Sequence, residues 1–222
     1  MNILETKGLK KIYGNGAAKV TALDGIDLVA ERGEFIAIVG SSGSGKTTLL
    51  NMIGGLDVPD EGEILIDQKE LQKLSDNELT VFRRRKIGFI FQQYNLIPML
   101  SVWENIILPL KMDGRAVDKE YVMEIVNILG IQEKLKNVPN ELSGGQQQRV
   151  AIARALAIKP ALILADEPTG NLDSRTSQDV LGLLKVTSAR FSQTVIMITH
   201  NEEIAQLADR ILRIEDGKIV RK

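Results

Sequence analysis

Cysteine is absent from this 222-residue chain, which excludes disulfide bridges and thiolate metal sites and suits a reducing compartment. Excess charge is absent as well. The 28 Lys and Arg residues against 29 Asp and Glu leave a formal net charge of −1, so composition indicates no basic nucleic-acid-binding face and no nucleic-acid partner is expected. Long apolar runs are missing: none approaches the roughly 20 residues that a membrane-crossing helix needs. The opening MNILETKGLKK has no apolar signal-peptide core. The chain is therefore expected to be soluble unless a partner holds it at a membrane. Aromatic residues are sparse at 4%, and histidine occurs once, as His200. Aliphatic side chains make up the difference. Hydrophobic residues total 44%, ample for the core of one domain or of one domain with an inserted lobe.

Periodicity and turn residues divide the chain. Residues 2–40 read as β-rich, with ILETKGLKKIY, VTALDGIDLVA and EFIAIVG separated by glycine-containing turns. A short helix follows in TTLLNMIGGL, then a strand near GEILID. In SDNELTVFRRRK, Ser75 and Glu78 have capping-box spacing. The basic run Arg83–Lys86 falls at the end of that helix, where its charge suits the dipole and solvent. IGFIFQ is the next strand. The period then becomes helical through SVWENIILPLK and DKEYVMEIVNILG, and residues 93–160 are expected to form a helical lobe. From Ala161 strands and helices alternate, the pattern of a parallel sheet with crossover helices.

Three strands share one design. FIAIV ends at Gly40, ALILA ends at Asp166 and Glu167, and VIMIT ends at His200. Each is an unbroken apolar run, as strands buried on both faces require, and each places polar groups past its carboxyl end, the edge at which open α/β sheets bind ligands. The residues Gly40, Ser41, Ser42, Gly43, Ser44, Gly45, Lys46 and Thr47, with Thr48 next, match the phosphate-binding loop pattern. Backbone N–H groups wrap the phosphates, Lys46 neutralises the β- and γ-phosphates, and the Thr47 hydroxyl binds Mg²⁺. Asp166 is placed to hold that Mg²⁺ through its water shell. Glu167 is placed to orient and deprotonate an attacking water, and His200 to sense the γ-phosphate. A second anion site opens at NELSGGQQQRVAIARALAIKP. There Ser143 can cap, Gly144 and Gly145 let a backbone come close, and a helix follows. A chain that binds one nucleotide thus carries two such sites.

Together these pieces resemble the ATPase subunit of an ABC transporter. The matching motifs are Walker A at Gly40–Thr47, the signature LSGGQ at Leu142–Gln146, Walker B LILADE at Leu162–Glu167, the D-loop NLD at Asn171–Asp173 and the switch residue His200. They run in the family's order from Tyr13 to the end of the chain. The resemblance implies a P-loop NTPase α/β fold with a mostly parallel sheet, an N-terminal antiparallel β-subdomain and an inserted α-helical lobe. The core comprises residues 1–92 and 161–222. It implies ATP hydrolysis with Mg²⁺, the metal residues being Thr47, Gln92 and Asp166 and the catalytic residues Glu167, His200 and Gln92. Gln92 is the Q-loop glutamine, with Gln93 the alternative by one residue. Tyr13 stacks on adenine, or else packs in a β-hairpin. The family's signature, here Ser143, Gly144, Gly145 and Gln146, caps the γ-phosphate of ATP held by a second subunit. That implies a head-to-tail homodimer with Asp173 at its seam, and gives the second anion site a purpose.

Several stretches outside the motifs resemble one branch, the lipoprotein-releasing and macrolide-efflux type (LolD/MacB) with its antimicrobial-peptide relatives: GGLDVPDEGEI, RRRKIGFIFQQYNLIPMLSVWENIILPL, LSGGQQQRVAIARALA and DEPTGNLD. This branch implies a transmembrane permease partner with a large extracytoplasmic domain, and a cytoplasmic ATPase held on the inner face of the membrane by it. YNLIPMLSVW supplies apolar side chains for the partner's coupling helix, although Leu96, Ile97 and Trp103 suit the lobe's own core equally. With the chain ending at Lys222, a sugar importer with its added regulatory domain is not expected. A cell-division ATPase of the FtsE type, whose membrane partner moves nothing, is the alternative. A soluble repair or ribosomal ATPase is disfavoured by the missing coiled-coil insertions and basic face.

Overall fold

FIAIV and TVIMI, buried at every residue, and LILAD, buried at all but Asp166, form the middle of the molecule. The computed structural model describes residues 1–220, Ala17 by its backbone alone; Arg221 and Lys222, which close the predicted 161–222 segment, lie outside the described residues. The strands are β1 (Asn2–Tyr13), β2 (Val20–Glu31), β3 (Phe35–Val39), β4 (Glu61–Ile66), β5 (Lys69–Glu70), β6 (Ile87–Phe91), β7 (Leu162–Asp166), β8 (Thr194–Ile198), β9 (Arg210–Glu215) and β10 (Lys218–Val220). The α-helices are α1 (Lys46–Ile53), α2 (Asp76–Lys86), α3 (Val102–Met112), α4 (Lys119–Ile128), α5 (Gly144–Ala157), α6 (Ser174–Arg190) and α7 (Glu202–Ala205). The larger sheet has the order β10-β9-β3-β8-β7-β6. Its strands β9, β3, β8, β7 and β6 run parallel, and β10 closes the edge as an antiparallel hairpin with β9. The smaller sheet, β2-β1-β4-β5, is antiparallel throughout.

Side chains alternate across a strand, and both faces of the larger sheet are covered. Phe35, Ala37, Val39, Ile163, Ala165, Val195 and Met197 join the helices α3–α6 in one hydrophobic core. Ile36, Ile38, Leu162, Leu164, Ile196 and Ile198 join α1, Phe82 of α2 and the smaller sheet in the other. This double burial is why the strands read as unbroken apolar runs. It also places α1 and α5 on opposite faces of the sheet, since Leu49, Leu50 and Met52 belong to the second core and Val150, Ile152 and Leu156 to the first.

Three helices start with the same reciprocal device. At Ser75/Glu78, Ser101/Glu104 and Ser143/Gln146 the serine side chain accepts from the backbone three residues on, and that residue's side chain accepts from the serine N–H. The helix predicted over TTLLNMIGGL closes earlier, at Ile53, because Gly55 turns left-handed at φ +62° and its N–H reaches the Met52 carbonyl at 3.0 Å. The basic run Arg83–Lys86 fills the last turn of α2, as its position predicts, but it grips protein as well as solvent. Arg83 donates to the Gly55 carbonyl at 2.6 Å. Arg84 and Arg85 both pair with Asp113 at the end of α3, and Lys86 pairs with Asp67.

Candidate functional site

Parallel strands in register align their carboxyl ends. Phe91 pairs with Asp166, Asp166 with Ile198, and Ile38 also with Ile198. The residues that follow, Gly40, Gln92, Glu167 and His200, therefore collect along one edge. A cleft of ≈ 430 Å³ lies there, lined by Val20, Ala22, Ser42, Gly43, Gly45, Lys46, Thr47 and Thr48 together with Glu167 and His200.

The loop from Gly40 to Gly45 is wedged between two strands. A Cβ on Gly40 would stand 2.2 Å from the Ile214 carbonyl oxygen, and one on Gly45 would stand 2.3 Å from that of Ala22. Gly45 also holds φ +104° as the N-cap of α1, a conformation that side-chain-bearing residues avoid. Lys46 is 7% exposed. Its ammonium donates to the carbonyls of Gly40 at 2.9 Å and Ser41 at 2.7 Å, with a long contact of 3.5 Å to Ser44 Oγ. Two of its three donors thus brace the loop. The third makes a contact weak enough to exchange for a phosphate oxygen.

At the end of β7, burial raises the carboxyl pKa of Asp166, and the neighbouring charge of Glu167 raises it further. The Lys46 charge and a hydrogen bond from Thr47 oppose the shift. Glu167 itself adopts φ +43°, a left-handed conformation costly for a residue with a side chain. It is held by its own N–H to the Ile198 carbonyl at 3.0 Å, and by its carbonyl accepting from the Gly170 N–H at 3.0 Å. The kink turns its carboxylate toward His200, whose Nδ1 lies 3.2 Å from Oε2. A further cavity of ≈ 370 Å³ has Glu167 and His200 in its wall and extends between the Thr169–Ser177 and Thr199–Leu207 segments.

Gln92 follows β6 at the same edge. Its amide nitrogen is 3.5 Å from Asn171 Oδ1, and its carbonyl accepts from Asn171 Nδ2 at 3.1 Å. A Cβ on Gly170 would meet that amide at 2.5 Å. The structure thus seats Gln92 against the start of the D-loop. Asp173 caps α6, accepting from the Thr176 N–H at 3.0 Å and hydroxyl at 2.6 Å, and these bonds hold its pKa below the ordinary range.

The start of α5 stands on the other face of the sheet. Ser143 Oγ accepts from the Gln146 N–H at 3.3 Å, and Gln146 Oε1 accepts from the Ser143 N–H at 2.9 Å. The serine's own hydroxyl hydrogen and the N–H groups of Gly144 and Gly145 have no partner among the described residues, the donor set that suits an anion. The glycines also serve packing. A Cβ on Gly145 would lie 2.5 Å from Thr176 Cγ2, and one on Gly144 would lie 2.8 Å from the Tyr94 hydroxyl. Within the chain, the close approach that the glycines permit is to α6 and Tyr94.

Tyr13, at the end of β1, is 40% exposed. Its hydroxyl donates to Asp57 Oδ2 at 2.8 Å, and burial, then this contact, raise its pKa against an opposing contact with Thr48. Since Thr48 lines the cleft, Tyr13 stands at its rim.

Some structurally prominent residues escaped sequence reading. Asn105 is fully buried and binds three carbonyls and one N–H of the Ile97–Ser101 loop. Arg154 of α5 donates to the carbonyls of Tyr94 at 2.8 Å and Asn95 at 2.6 Å, which ties the segment after Gln92 to the signature helix. Arg154 is a lone polar residue in an apolar helical run and Asn105 follows Glu104 at the start of another, and that was the available signal. The YNLIPMLSVW stretch divides between the two alternatives. Leu96 and Trp103 pack on the helical core, while Ile97 and Met99 are exposed. The nearby apolar groove of ≈ 410 Å³ is instead lined by Leu56, Phe89, Phe91, Pro109 and Ile158, with Arg83, Arg84, Asn95 and Arg154 among its polar residues. Phe89 and Phe91 stack there with ring centroids 5.4 Å apart.

Residues 23–170 match a family model described as ABC transporter. The chain is 47% identical over 219 residues to a macrolide export ATP-binding/permease protein MacB from Bdellovibrio bacteriovorus, covering 98% of this chain and 33% of that protein. It thus spans about a third of that relative's length. It is 44% identical over 222 residues to the bacitracin export ATP-binding protein BceA of Halalkalibacterium halodurans, covering 99% and 87% of the two chains. A solved dimeric structure of the ATP-binding cassette MJ0796 bound to ADP and Pi superposes with a TM-score of 0.86 at 44% identity, over 98% of this chain and 97% of that one.

Proposed function

Because this chain belongs to the ABC transporter family and is an ATP-binding ATPase subunit, we propose that its two anion sites serve two different copies of it. In this reading two chains meet head to tail. Each ATP lies between the phosphate loop of one and Ser143–Gln146 of the other, with Asp173 near the seam. One arrangement carries the reading: α1 and α5 pack on opposite faces of the central sheet, and none of Ser143–Gln146 lines the cleft at the chain's own phosphate loop. The solved relative bound to ADP and Pi is dimeric, which supports it.

The chemistry follows from the edge described above. Backbone N–H groups and Lys46 bind the phosphates, and Tyr13 stacks on the base. Mg²⁺ fits the residues present. Thr47, Asp166 and the side-chain carbonyl of Gln92 offer oxygen, as a hard cation requires. Among the described residues no three His, Cys, Asp or Glu side chains cluster to hold a metal alone, so nucleotide phosphates and water must complete its shell. Mg²⁺ when bound neutralises charge building up on the transferred phosphoryl group. Glu167 takes a proton from the attacking water. His200, whose Nδ1 lies 3.2 Å from that carboxylate, senses the γ-phosphate beside it. Gln92, beside Asn171, connects the site to the Tyr94–Asn95 segment and through Arg154 to α5.

Among the described residues no helix is long and apolar enough to cross a membrane. The groove with the Phe89–Phe91 floor suits a short amphipathic helix from a transmembrane partner, which would hold the chain on the inner face of the membrane. By analogy with the macrolide and bacitracin exporters, the work done is extrusion of a macrolide, an antimicrobial peptide or a lipoprotein through a partner with a large extracytoplasmic domain. The test of the dimer is Glu167→Gln with MgATP in light scattering. This variant keeps binding and loses the base, so its mass should double. A mass that stays monomeric at saturating MgATP would contradict the reading.

A further inference from the structure

The geometry points to Asp57 as a positioning residue for the nucleotide base, acting through Tyr13; this rests on the stacking role proposed for Tyr13. Asp57 follows α1, the helix that carries the phosphate loop, and its N–H reaches back to the Asn51 carbonyl of that helix at 3.4 Å. Its carboxylate gathers three donors from separate places. Oδ2 accepts from the Tyr13 hydroxyl at 2.8 Å. Oδ1 accepts from Lys11 Nζ at 3.1 Å and from the Val58 N–H at 2.7 Å. Lys11 also donates to the Val58 carbonyl at 2.7 Å. The next turn is laced to the same strand, Asp60 accepting from the Ile12 N–H at 2.6 Å and its own N–H reaching the Lys10 carbonyl at 2.9 Å.

The consequence concerns the ring. Lys11 Nζ stands 5.3 Å from the Tyr13 ring centroid, a cation held against the aromatic ring. Lys11 is 12% exposed at its side chain while Tyr13 is 40% exposed, so the open part of the ring is left for the base. Without the hydroxyl anchor, Tyr13 is free to turn about χ1 and χ2 and must be ordered each time a base binds, at a cost in affinity. With it, the stacking surface is fixed relative to α1, the helix that positions the phosphates. Base and phosphate subsites are thereby held in register through residues 44 positions apart in sequence.

The test compares ADP with inorganic pyrophosphate in calorimetric titrations of the full chain, so that base and phosphate contributions separate. Asp57→Ala should weaken ADP binding about five- to tenfold, part of the effect of losing a base stack, and leave pyrophosphate binding unchanged. Tyr13→Ala should show the same selectivity more strongly, and Asp57→Ala added to it should cost nothing more. Asp57→Asn, which keeps an acceptor for the hydroxyl, should recover most of the loss, and it serves as the folded control if Asp57→Ala is unstable. If Tyr13→Ala weakens ADP selectively but neither Asp57 variant does, the positioning role is wrong and the stacking reading stands. If Asp57→Ala weakens pyrophosphate equally, the residue merely supports α1, and the proposal is overturned. If Tyr13→Ala affects neither ligand, the stacking reading and the proposal fall together.

Discussion

Replacing Asn105 by leucine tests how the segment after Gln92 is held. Asn105 has no exposure in the first turns of α3. Its side chain accepts from the Ile97 N–H at 2.8 Å, and its two amide hydrogens are shared among the carbonyls of Ile97, Leu100 and Ser101, which lie 3.0–3.1 Å from Nδ2. Two of these groups have other partners: the Ile97 carbonyl accepts from the Leu100 N–H and the Ser101 carbonyl from the Asn105 N–H. The Ile97 N–H and the Leu100 carbonyl have none among the described residues. Leucine therefore orphans two backbone groups at about 1–3 kcal/mol each where they stay dry. Water reaching the exposed Ile97 and Met99 relieves part of this, and the new apolar side chain returns about 1 kcal/mol. The expected net loss is about 2–3 kcal/mol. Urea unfolding followed by the fluorescence of Trp103, the one tryptophan, measures it on the same helix. A loss below about 0.5 kcal/mol, the level of an ordinary surface substitution, would refute the claim that Asn105 holds this loop.

Other perturbations reach different parts of the fold. Gly145→Ala should lower stability by about 1–2 kcal/mol, because overpacking against Thr176 outweighs the helix-propensity gain. Thr176→Ser removes the clashing methyl yet keeps the hydroxyl that bonds Asp173, so the double variant should regain most of that loss in thermal unfolding. Burial pushes the Tyr121 pKa up to about 12 from the usual 10.0. The folded state holds this proton more tightly, so stability is full below about pH 10 and falls as pH rises toward 12. Tyr121→Phe should flatten that alkaline slope in denaturant titrations.

Much of the site was legible because its residues follow strands. FIAIV, LILAD and TVIMI end at the loop, at Asp166 and Glu167, and two residues before His200, and polar groups after a buried run mark the ligand edge of an α/β sheet. The order that sets β8 between β3 and β7 was not legible, because strand order depends on which crossover packs where. The structure adds partners distant in sequence. Tyr13 needs Asp57, Gln92 needs Asn171, and Tyr94 needs Arg154, none of which periodicity can pair. Capping boxes are local, and all three carry their spacing openly at Ser75, Ser101 and Ser143. The YNLIPMLSVW stretch was open between groove and core, since an apolar side chain near a groove has the same signature as one packed in the core; the structure packs Leu96 and Trp103 on the core.

The central claim is that the two anion sites of one chain act on nucleotides held by two chains. Mixing tests it most directly. A Lys46→Ala chain lacks a working phosphate loop, and a Ser143→Arg chain lacks a working signature. Single-turnover ATP cleavage is measured for each alone and for an equal mixture. Each variant alone should be inactive. In the mixture, one of the two sites in every mixed pair joins an intact loop to an intact signature, and cleavage should return to on the order of a quarter of the unsubstituted rate. A mixture as inactive as its components would contradict the claim.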